Sequence, residues 1–308
     1  MGDDIYDIAV IGGGPAAFAA GIYAGRAGLR SVILERGMPG GQMQTSYLIE
    51  NWPGEKGISG ADLTMKMKEH AEQYTPIREF FDVTSIGKEE DFLIRSPEGA
   101  VRARAIIIAT GAEHKHLGVP GEEELNGKGI SYCATCDGFF FKGKRVLVVG
   151  GGNTALEYAA YLDNIDCDVT IVHRRDRFRA ERSIVEQVEG LKVDRLMDSV
   201  IERFNGTDEM ISATIKNVRT GETKDVEAAG AFIAVGEVPN NELAKELSLD
   251  LDKDGYVKCD TRQATSMPGV YAAGDITGGL KQIVIAAAQG ARAATSAFED
   301  LSNPYWVK

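Results

Sequence analysis

Two cysteines separated by two residues and followed by a carboxylate, Cys133-Ala134-Thr135-Cys136-Asp137, lie between two glycine-rich turns in this 308-residue chain. On a turn that enters a helix this spacing brings two sulfurs within bonding distance, and helix N–H groups stabilise a thiolate. The pair is expected to cycle between disulfide and dithiol. Asp137 then protonates a leaving thiolate and later takes a proton from a cysteine, a role that favours a raised pKa. The alternative for Asp137 is a plain cap of the turn.

Each glycine-rich turn has the elements needed to hold a nucleotide. Gly12-Gly13-Gly14-Pro15-Ala16-Ala17 follows the apolar run 5–11 and precedes an Ala-rich helical stretch. Gly150-Gly151-Gly152-Asn153-Thr154-Ala155 follows Arg145-Val146-Leu147-Val148-Val149 and precedes the helix-prone residues 156–162. A G-x-G-x-x-A turn between strand and helix lets backbone approach a pyrophosphate and aims helix N–H groups at it; here Gly12, Gly14 and Ala17 match, then Gly150, Gly152 and Ala155. About twenty residues further on, where the ribose contact falls, the copies diverge. Glu35 suits a ribose 2′-OH and repels a 2′-phosphate, as FAD requires. His173-Arg174-Arg175, with Arg179, offers guanidinium forks to a phosphate, as NADP(H) requires. The competing reading of that segment is a solvated charged helix start, given Asp176 and Glu181 nearby.

The repeat extends further. The runs Ala105-Ile106-Ile107-Ile108-Ala109-Thr110-Gly111 and Ala231-Phe232-Ile233-Ala234-Val235-Gly236 each end a strand on glycine. Pro-, Gly- and charge-bearing connectors follow at 112–120 and 237–241, bracketing a nested domain. The expected architecture is α/β: two three-layer Rossmann-like dinucleotide-binding domains, 1–113 with 244–308 for FAD and 114–243 for NADPH, the latter inserted and carrying the CxxC. Near the end, Gly274-Asp275 closes a third strand. Asp275 can accept from a ribityl hydroxyl, with the following helix directed at the flavin; the alternative is an N-cap aspartate.

Composition narrows the functional classes. A net charge of −12 disfavours nucleic acid as a partner, the one basic cluster being 173–182. Apolar runs fall well short of the ~20 residues a membrane span needs. The start, Met1-Gly2-Asp3-Asp4, lacks the basic and apolar regions of a signal peptide, so a cytoplasmic location is expected. Only one CxxC is present, which argues against a zinc ribbon, and Cys167 and Cys259 are expected as small packed residues. His114-Lys115-His116 has no accompanying ligand set for a metal and reads as solvated linker.

These motifs, together with Gly40-Gly41-Gln42 and Glu50-Asn51-Trp52-Pro53-Gly54, resemble the low-molecular-weight thioredoxin reductases over essentially the whole chain. The resemblance implies an FAD- and NADPH-dependent, homodimeric flavoprotein oxidoreductase that reduces thioredoxin or a thioredoxin-like protein, with the cysteine pair as its redox-active centre. It implies that Cys136 lies against reduced flavin, Cys133 attacks the partner disulfide and Asp137 manages the proton. It places FAD contacts at Gly12, Gly14, Pro15, Ala16, Ala17, Glu35, Arg36, Gly41, Gln42, Asn51, Ala109, Thr110, Gly111, Gly274, Asp275, Gln282 and Ile283. NADPH contacts fall at Gly150, Gly152, Asn153, Thr154, Ala155, His173, Arg174, Arg175 and Arg179. Lys281-Gln282-Ile283 stands where Arg-Gln-Ala is common, and Tyr158 replaces a frequent glutamate. Competing readings are a flavin dithiol oxidase, a same-fold reductase using ferredoxin or a deazaflavin, and a non-enzymatic redox sensor; the arginines argue against the first two, and turnover with thioredoxin separates the third.

Overall fold

The computed structural model describes residues 5–46 and 48–302, so the Met1-Gly2-Asp3-Asp4 start lies outside the described residues. The first stretch runs β1 (Ile5–Ile11), α1 (Pro15–Arg26), β2 (Ser31–Leu34), α2 (Gly60–Glu72), β3 (Ile77–Arg78), β4 (Ser85–Lys88), β5 (Phe92–Ser96) and β6 (Gly99–Ile108), leading to β7 (Ala112–His114). The second runs β8 (Ile130–Ser131), α3 (Ala134–Asp137), β9 (Arg145–Gly150), α4 (Asn153–Asn164), β10 (Asp168–Val172), α5 (Arg182–Glu189), β11 (Asp194–Leu196), β12 (Ser199–Gly206), β13 (Met210–Asn217), β14 (Thr223–Glu227), β15 (Gly230–Ala234) and β16 (Glu237–Pro239). The return adds α6 (Glu242–Glu246), β17 (Val270–Ala272) and α7 (Ile283–Ser302).

Two compact units result: residues up to Glu113 with those from Val238 onward, and His114–Glu237 between them. In the first, β3-β2-β1-β6 run parallel and β17 pairs with the carboxyl end of β6, while β4 and β5 pair antiparallel at its other end. In the second, β11-β10-β9-β15-β8 are all parallel. The orders match strand for strand, so the repeat in the sequence is a repeat of the fold. A parallel sheet buries both faces, which is why these strands are near-continuous Val, Ile and Ala. Ile8 and Val10 face α1 and α7, while Ala9 and Ile11 face the opposite core. Val146 and Val148 pack against α4 and α5, while Leu147 and Val149 meet the β12–β14 meander. Each unit is thus three-layered, as expected, with α1 and α7 on one face of the first sheet and α4 and α5 on one face of the second.

Several boundaries differ from expectation. The chain rejoins the first unit at Val238, ahead of the expected 244, because Leu243, Ala244 and Leu247 are buried in its core. The connectors are ordered: β7 and β16 pair with each other. His114 stacks on Tyr132 with ring centroids 4.9 Å apart, and His116 Nδ1 lies 2.8 Å from the Tyr132 hydroxyl, so the histidine pair packs on an aromatic ring as well as meeting solvent. After Asp275 comes only a short 3₁₀ turn (Asp275–Thr277); Gly278 and Gly279, both at positive φ, interrupt the chain before α7 starts. No helix among the described residues is long and apolar enough to cross a membrane.

Candidate active site

Both glycine turns sit at the carboxyl ends of the first strands of their units, where parallel strands feed their backbone into helices. Gly12 and Gly150 are required by the neighbouring strand. A Cβ on Gly12 would lie 2.2 Å from the Ala109 carbonyl oxygen, and one on Gly150 2.3 Å from that of Ala234, and both residues have positive φ. At Gly13 and Gly151 the obstacle is the residue ending the second strand: Glu35 at 2.8 Å, His173 at 2.2 Å. Only Gly14 and Gly152 open outward. Nothing lies nearer a Gly14 Cβ than Gly41 Cα at 4.0 Å, and nothing within 4 Å at Gly152. Each is the uncapped N-terminal residue of a twelve-residue helix, α1 with Pro15 in its first turn, α4 with Asn153 and the exposed Thr154. Ala16, Ala17 and Ala155 are buried, bringing these helices close onto the sheets. First-turn N–H groups without side-chain caps, facing open space, fit a pyrophosphate.

The two turns are buttressed identically. The Gly40 N–H donates to the Gly13 carbonyl and the Arg179 N–H to that of Gly151, each at 2.7 Å. Phe81 donates to the Glu35 carbonyl and Ser199 to that of His173, each at 2.8 Å. The segment expected to carry the cofactor preference is thereby folded back over its own turn. His173, however, is buried beneath it, its Nε2 3.0 Å from the Arg177 carbonyl. Burial pushes its pKa below the usual range, and the positive Arg174 and Arg179 add to this. His173 is neutral at pH 7 and supports the turn, leaving the charge to the arginines. Arg174 and Arg179 are exposed and Arg175 half-buried, and none pairs with a carboxylate among the described residues. Asp176 is taken by Arg219 at 3.0 Å, and Glu181 exchanges hydrogen bonds with Asn153. Arg177, also exposed, is a further cation of this loop that sequence reasoning passed over.

In the first unit, Glu35 Oε1 accepts from the Gly37 N–H at 2.8 Å, and Arg36 is held by Glu113 at 2.5 Å. Gln42, one residue after Gly41, donates to the Ala112 carbonyl at 2.7 Å. Asn51 Nδ2 donates to Gln282 Oε1 at 3.0 Å, joining two expected flavin residues far apart in sequence and setting Ile283 at the start of α7. Two residues not anticipated complete the frame. Asn240 receives the Thr110 hydroxyl at its carbonyl, donates to the Thr110 carbonyl, and gives its N–H to Gly111. Gln289 accepts the Gly274 N–H at 2.8 Å beside the half-buried Asp275. Both are ordinary amides, on a return segment and a helix, and no local pattern marks them.

The dithiol lies at the carboxyl end of β8, the strand that flanks β15 as β17 flanks β6. It thus occupies the position that the Asp275 turn holds in the first unit. Cys133 and Cys136 are joined as a disulfide with Cα atoms 5.3 Å apart. The Cys136 and Asp137 N–H groups donate to the Cys133 carbonyl at 3.3 and 3.1 Å. α3 is a single turn, so few peptide dipoles align behind the sulfurs. Asp137 does not cap the turn; its Oδ2 accepts the Ser131 hydroxyl at 2.5 Å. Burial pushes this carboxyl above the usual carboxylate range, and the Ser131 hydrogen bond draws part of that back. Tyr158 donates to the Tyr132 carbonyl at 3.0 Å, fixing the residue before Cys133. Cys136 is exposed and Cys133 half-buried. Cys167 is buried near the Phe141 carbonyl, and burial pushes the Cys259 thiol up to about 11, as packed cysteines behave.

Comparison with known proteins agrees with this geometry. The family model for pyridine nucleotide-disulphide oxidoreductases matches residues 6–290. The thioredoxin reductase of Bacillus subtilis (strain 168) is 40% identical over 299 residues, covering 96% of this chain and 94% of that protein. That of Coxiella burnetii is 40% identical over 305 residues, 95% of each. The crystal structure of Streptococcus pyogenes thioredoxin reductase superposes with a TM-score of 0.92 at 38% identity, covering 98% of this chain and 100% of that one. With a family match that spans both glycine turns and the dithiol and relatives 40% identical over nearly the whole chain, the chain belongs to the pyridine nucleotide-disulphide oxidoreductases, among their thioredoxin reductases.

Proposed function

We infer that this chain is an NADPH-dependent thioredoxin reductase, passing two electrons from NADPH through FAD and the Cys133–Cys136 disulfide to the disulfide of thioredoxin or a thioredoxin-like protein. The observation that carries this reading is the disulfide, with its buried carboxyl, at a strand end of the sheet that also holds an arginine-flanked dinucleotide turn. The unit built on β1 holds FAD: Gly14 and the start of α1 take the pyrophosphate, Glu35 the adenosine ribose, and Gln42, Asn51, Asp275 and Gln282 the flavin half. The unit built on β9 holds NADPH, with Gly152 and the start of α4 on the pyrophosphate and Arg174, Arg175 and Arg179 on the 2′-phosphate. When bound, FAD supplies the two-electron relay between a hydride donor and a disulfide.

The remaining work falls to the cysteines. The Cys133 thiolate attacks one sulfur of the partner disulfide, forming a mixed disulfide and releasing a partner thiolate. Cys136 then attacks the Cys133 sulfur, restoring the Cys133–Cys136 bond and releasing the second partner thiolate. Each leaving thiolate takes one proton, so two thiols here become a disulfide while one disulfide there becomes two thiols. Asp137 delivers and recovers a proton beside the pair, and its raised pKa keeps it protonated to higher pH than an ordinary carboxyl.

Phe139 is 63% exposed and Phe140 36%, an adjacent aromatic pair on the surface directly after the dithiol turn. We assign them to docking the partner protein. Phe139→Ala should raise KM for thioredoxin roughly tenfold, a typical cost for an interface aromatic, with kcat on a small disulfide unchanged. An unchanged KM removes the assignment. The enzyme is a cytoplasmic homodimer in this reading, and sedimentation equilibrium should give about twice the 33.2 kDa chain mass.

An anaerobic titration of the oxidised holoenzyme, followed by flavin absorbance, tests the reading. Uptake of about two equivalents of NADPH per subunit, with NADH far less effective, is the expected result for a flavin coupled to a disulfide. A flavin that stays oxidised with NADPH but bleaches with dithiols would instead make the protein a dithiol oxidase.

A further inference from the structure

Ser131 is the last residue of β8, 5% exposed, and no sequence motif singles it out. Its hydroxyl is placed to do two things at once. It donates to Asp137 Oδ2 at 2.5 Å, and it accepts the Cys133 N–H at 3.0 Å. The Cys133 carbonyl is a second acceptor within reach of its proton at 3.3 Å, but the Asp137 oxygen is nearer. A hydroxyl has one proton to give, so these contacts fix its direction: proton toward the carboxylate, lone pair toward the first cysteine's backbone.

We propose that Ser131 is the positioning residue of the redox centre, tying the proton-handling Asp137 carboxyl to the backbone of Cys133. The proposal rests on the assignment of Asp137 as the acid and base of the dithiol. Three features make the role specific. The bond joins residues on either side of the dithiol, so carboxyl and attacking sulfur keep one geometry while the S–S bond opens and closes. Its donor is buried, where water cannot replace it. It also opposes the main influence on Asp137, since burial favours the neutral acid and a donated hydrogen bond favours the carboxylate. Besides the two cysteines of its own turn, which titrate only once reduced, the titratable group interacting with Asp137 among the described residues is Tyr158 from α4, whose hydroxyl is engaged with the Tyr132 carbonyl and whose pKa burial pushes up. None is a cation, so Ser131 is the group that supports the ionised form.

Proton affinity that is neither too low nor too high suits a group that must both give and take a proton in one cycle. Without Ser131, burial acts unopposed and the carboxyl gives up its proton less readily. The direction follows without knowing which form limits the rate: whichever limb of the pH–rate profile belongs to Asp137 moves to higher pH.

The test uses the NADPH-reduced holoenzyme of the parent, S131A, S131T and D137N, mixed with oxidised thioredoxin across pH in a stopped-flow instrument. In S131A the Asp137 limb should move up by about one pH unit, a tenfold change in proton affinity. S131T, which keeps a hydroxyl, should return it toward the parent, and D137N should lack the limb. Thermal melts and free-thiol counts matching the parent show that S131A folds and forms its disulfide. A purely structural role would lower the rate at every pH and leave the limb in place, which overturns the proposal. If S131T does not fold, S131A against D137N decides alone. A limb that persists in D137N overturns the Asp137 assignment itself; one that vanishes in D137N yet stays fixed in S131A overturns only the role of Ser131.

Discussion

Cys136→Ser is expected to yield a folded flavoprotein that no longer reduces thioredoxin, with turnover down at least about 10⁴-fold, the scale seen when a reaction loses its nucleophile. Serine keeps nearly the same shape, but its hydroxyl neither ionises near neutral pH nor forms a disulfide, so the second half of the exchange has no attacking group. The fold should tolerate the change. The disulfide closes a loop of only a few residues, whose entropic contribution is about 2 kcal/mol in the chain model. The turn is also held by contacts that do not involve sulfur, among them Ser131 to Cys133, Asp137 to the Cys133 carbonyl and Tyr158 to Tyr132. NADPH uptake should fall from about two equivalents to about one, the flavin alone. Neither cysteine outside the pair can substitute. Cys167 is buried, and burial raises both its thiol and that of Cys259, the latter to about 11, so thiolate is scarce at neutral pH. Retained turnover in C136S, with thermal stability unchanged, would mean that electrons reach thioredoxin by a path that bypasses the pair.

The features legible in the sequence are those written locally. A strand, a glycine turn, a helix and a charged residue at the next strand end occupy about thirty consecutive residues, and each copy reads without knowledge of the rest of the fold. The dithiol and Asp137 are likewise contiguous. What the sequence conceals depends on neighbours set by sheet order. Ser131 gains its partner because β8 ends where the CxxC turn begins, and Asn240 reaches Thr110 from the far side of the inserted unit. Gln289 reaches Gly274 from within α7. His173 shows the opposite limit. It stands at the position equivalent to Glu35, yet the bulk of its ring, set against Gly151, matters more than its charge. The antiparallel pieces, β4 with β5 and β12 to β14, carry no chemistry and no motif, and only the folded chain reveals that they cover the second face of each sheet.

Removing the charges around the second turn should change which nicotinamide cofactor the enzyme accepts. Arg174→Ala with Arg179→Ala is expected to raise KM for NADPH by roughly 10²-fold while KM for NADH moves less than about twofold. A hydrogen bond to a charged group contributes about 1.5–3 kcal/mol, and both side chains are exposed, so the lower end applies to each. The sign of the selectivity follows from geometry, because no carboxylate among the described residues neutralises these guanidinium groups, Asp176 and Glu181 being engaged elsewhere. Arg→Lys at the same positions should recover only part of the loss, since an ammonium keeps the charge but not the planar fork. KM for NADPH should also rise with ionic strength in the parent, and less steeply in the double variant. The control lies in the backbone. Arg179 buttresses Gly151 through its N–H, which alanine retains, so the turn itself should survive and flavin absorbance and disulfide content should match the parent. If KM for NADPH and NADH rise together, the side chains shape the turn and do not read the phosphate, and the preference for NADPH must come from another part of the unit.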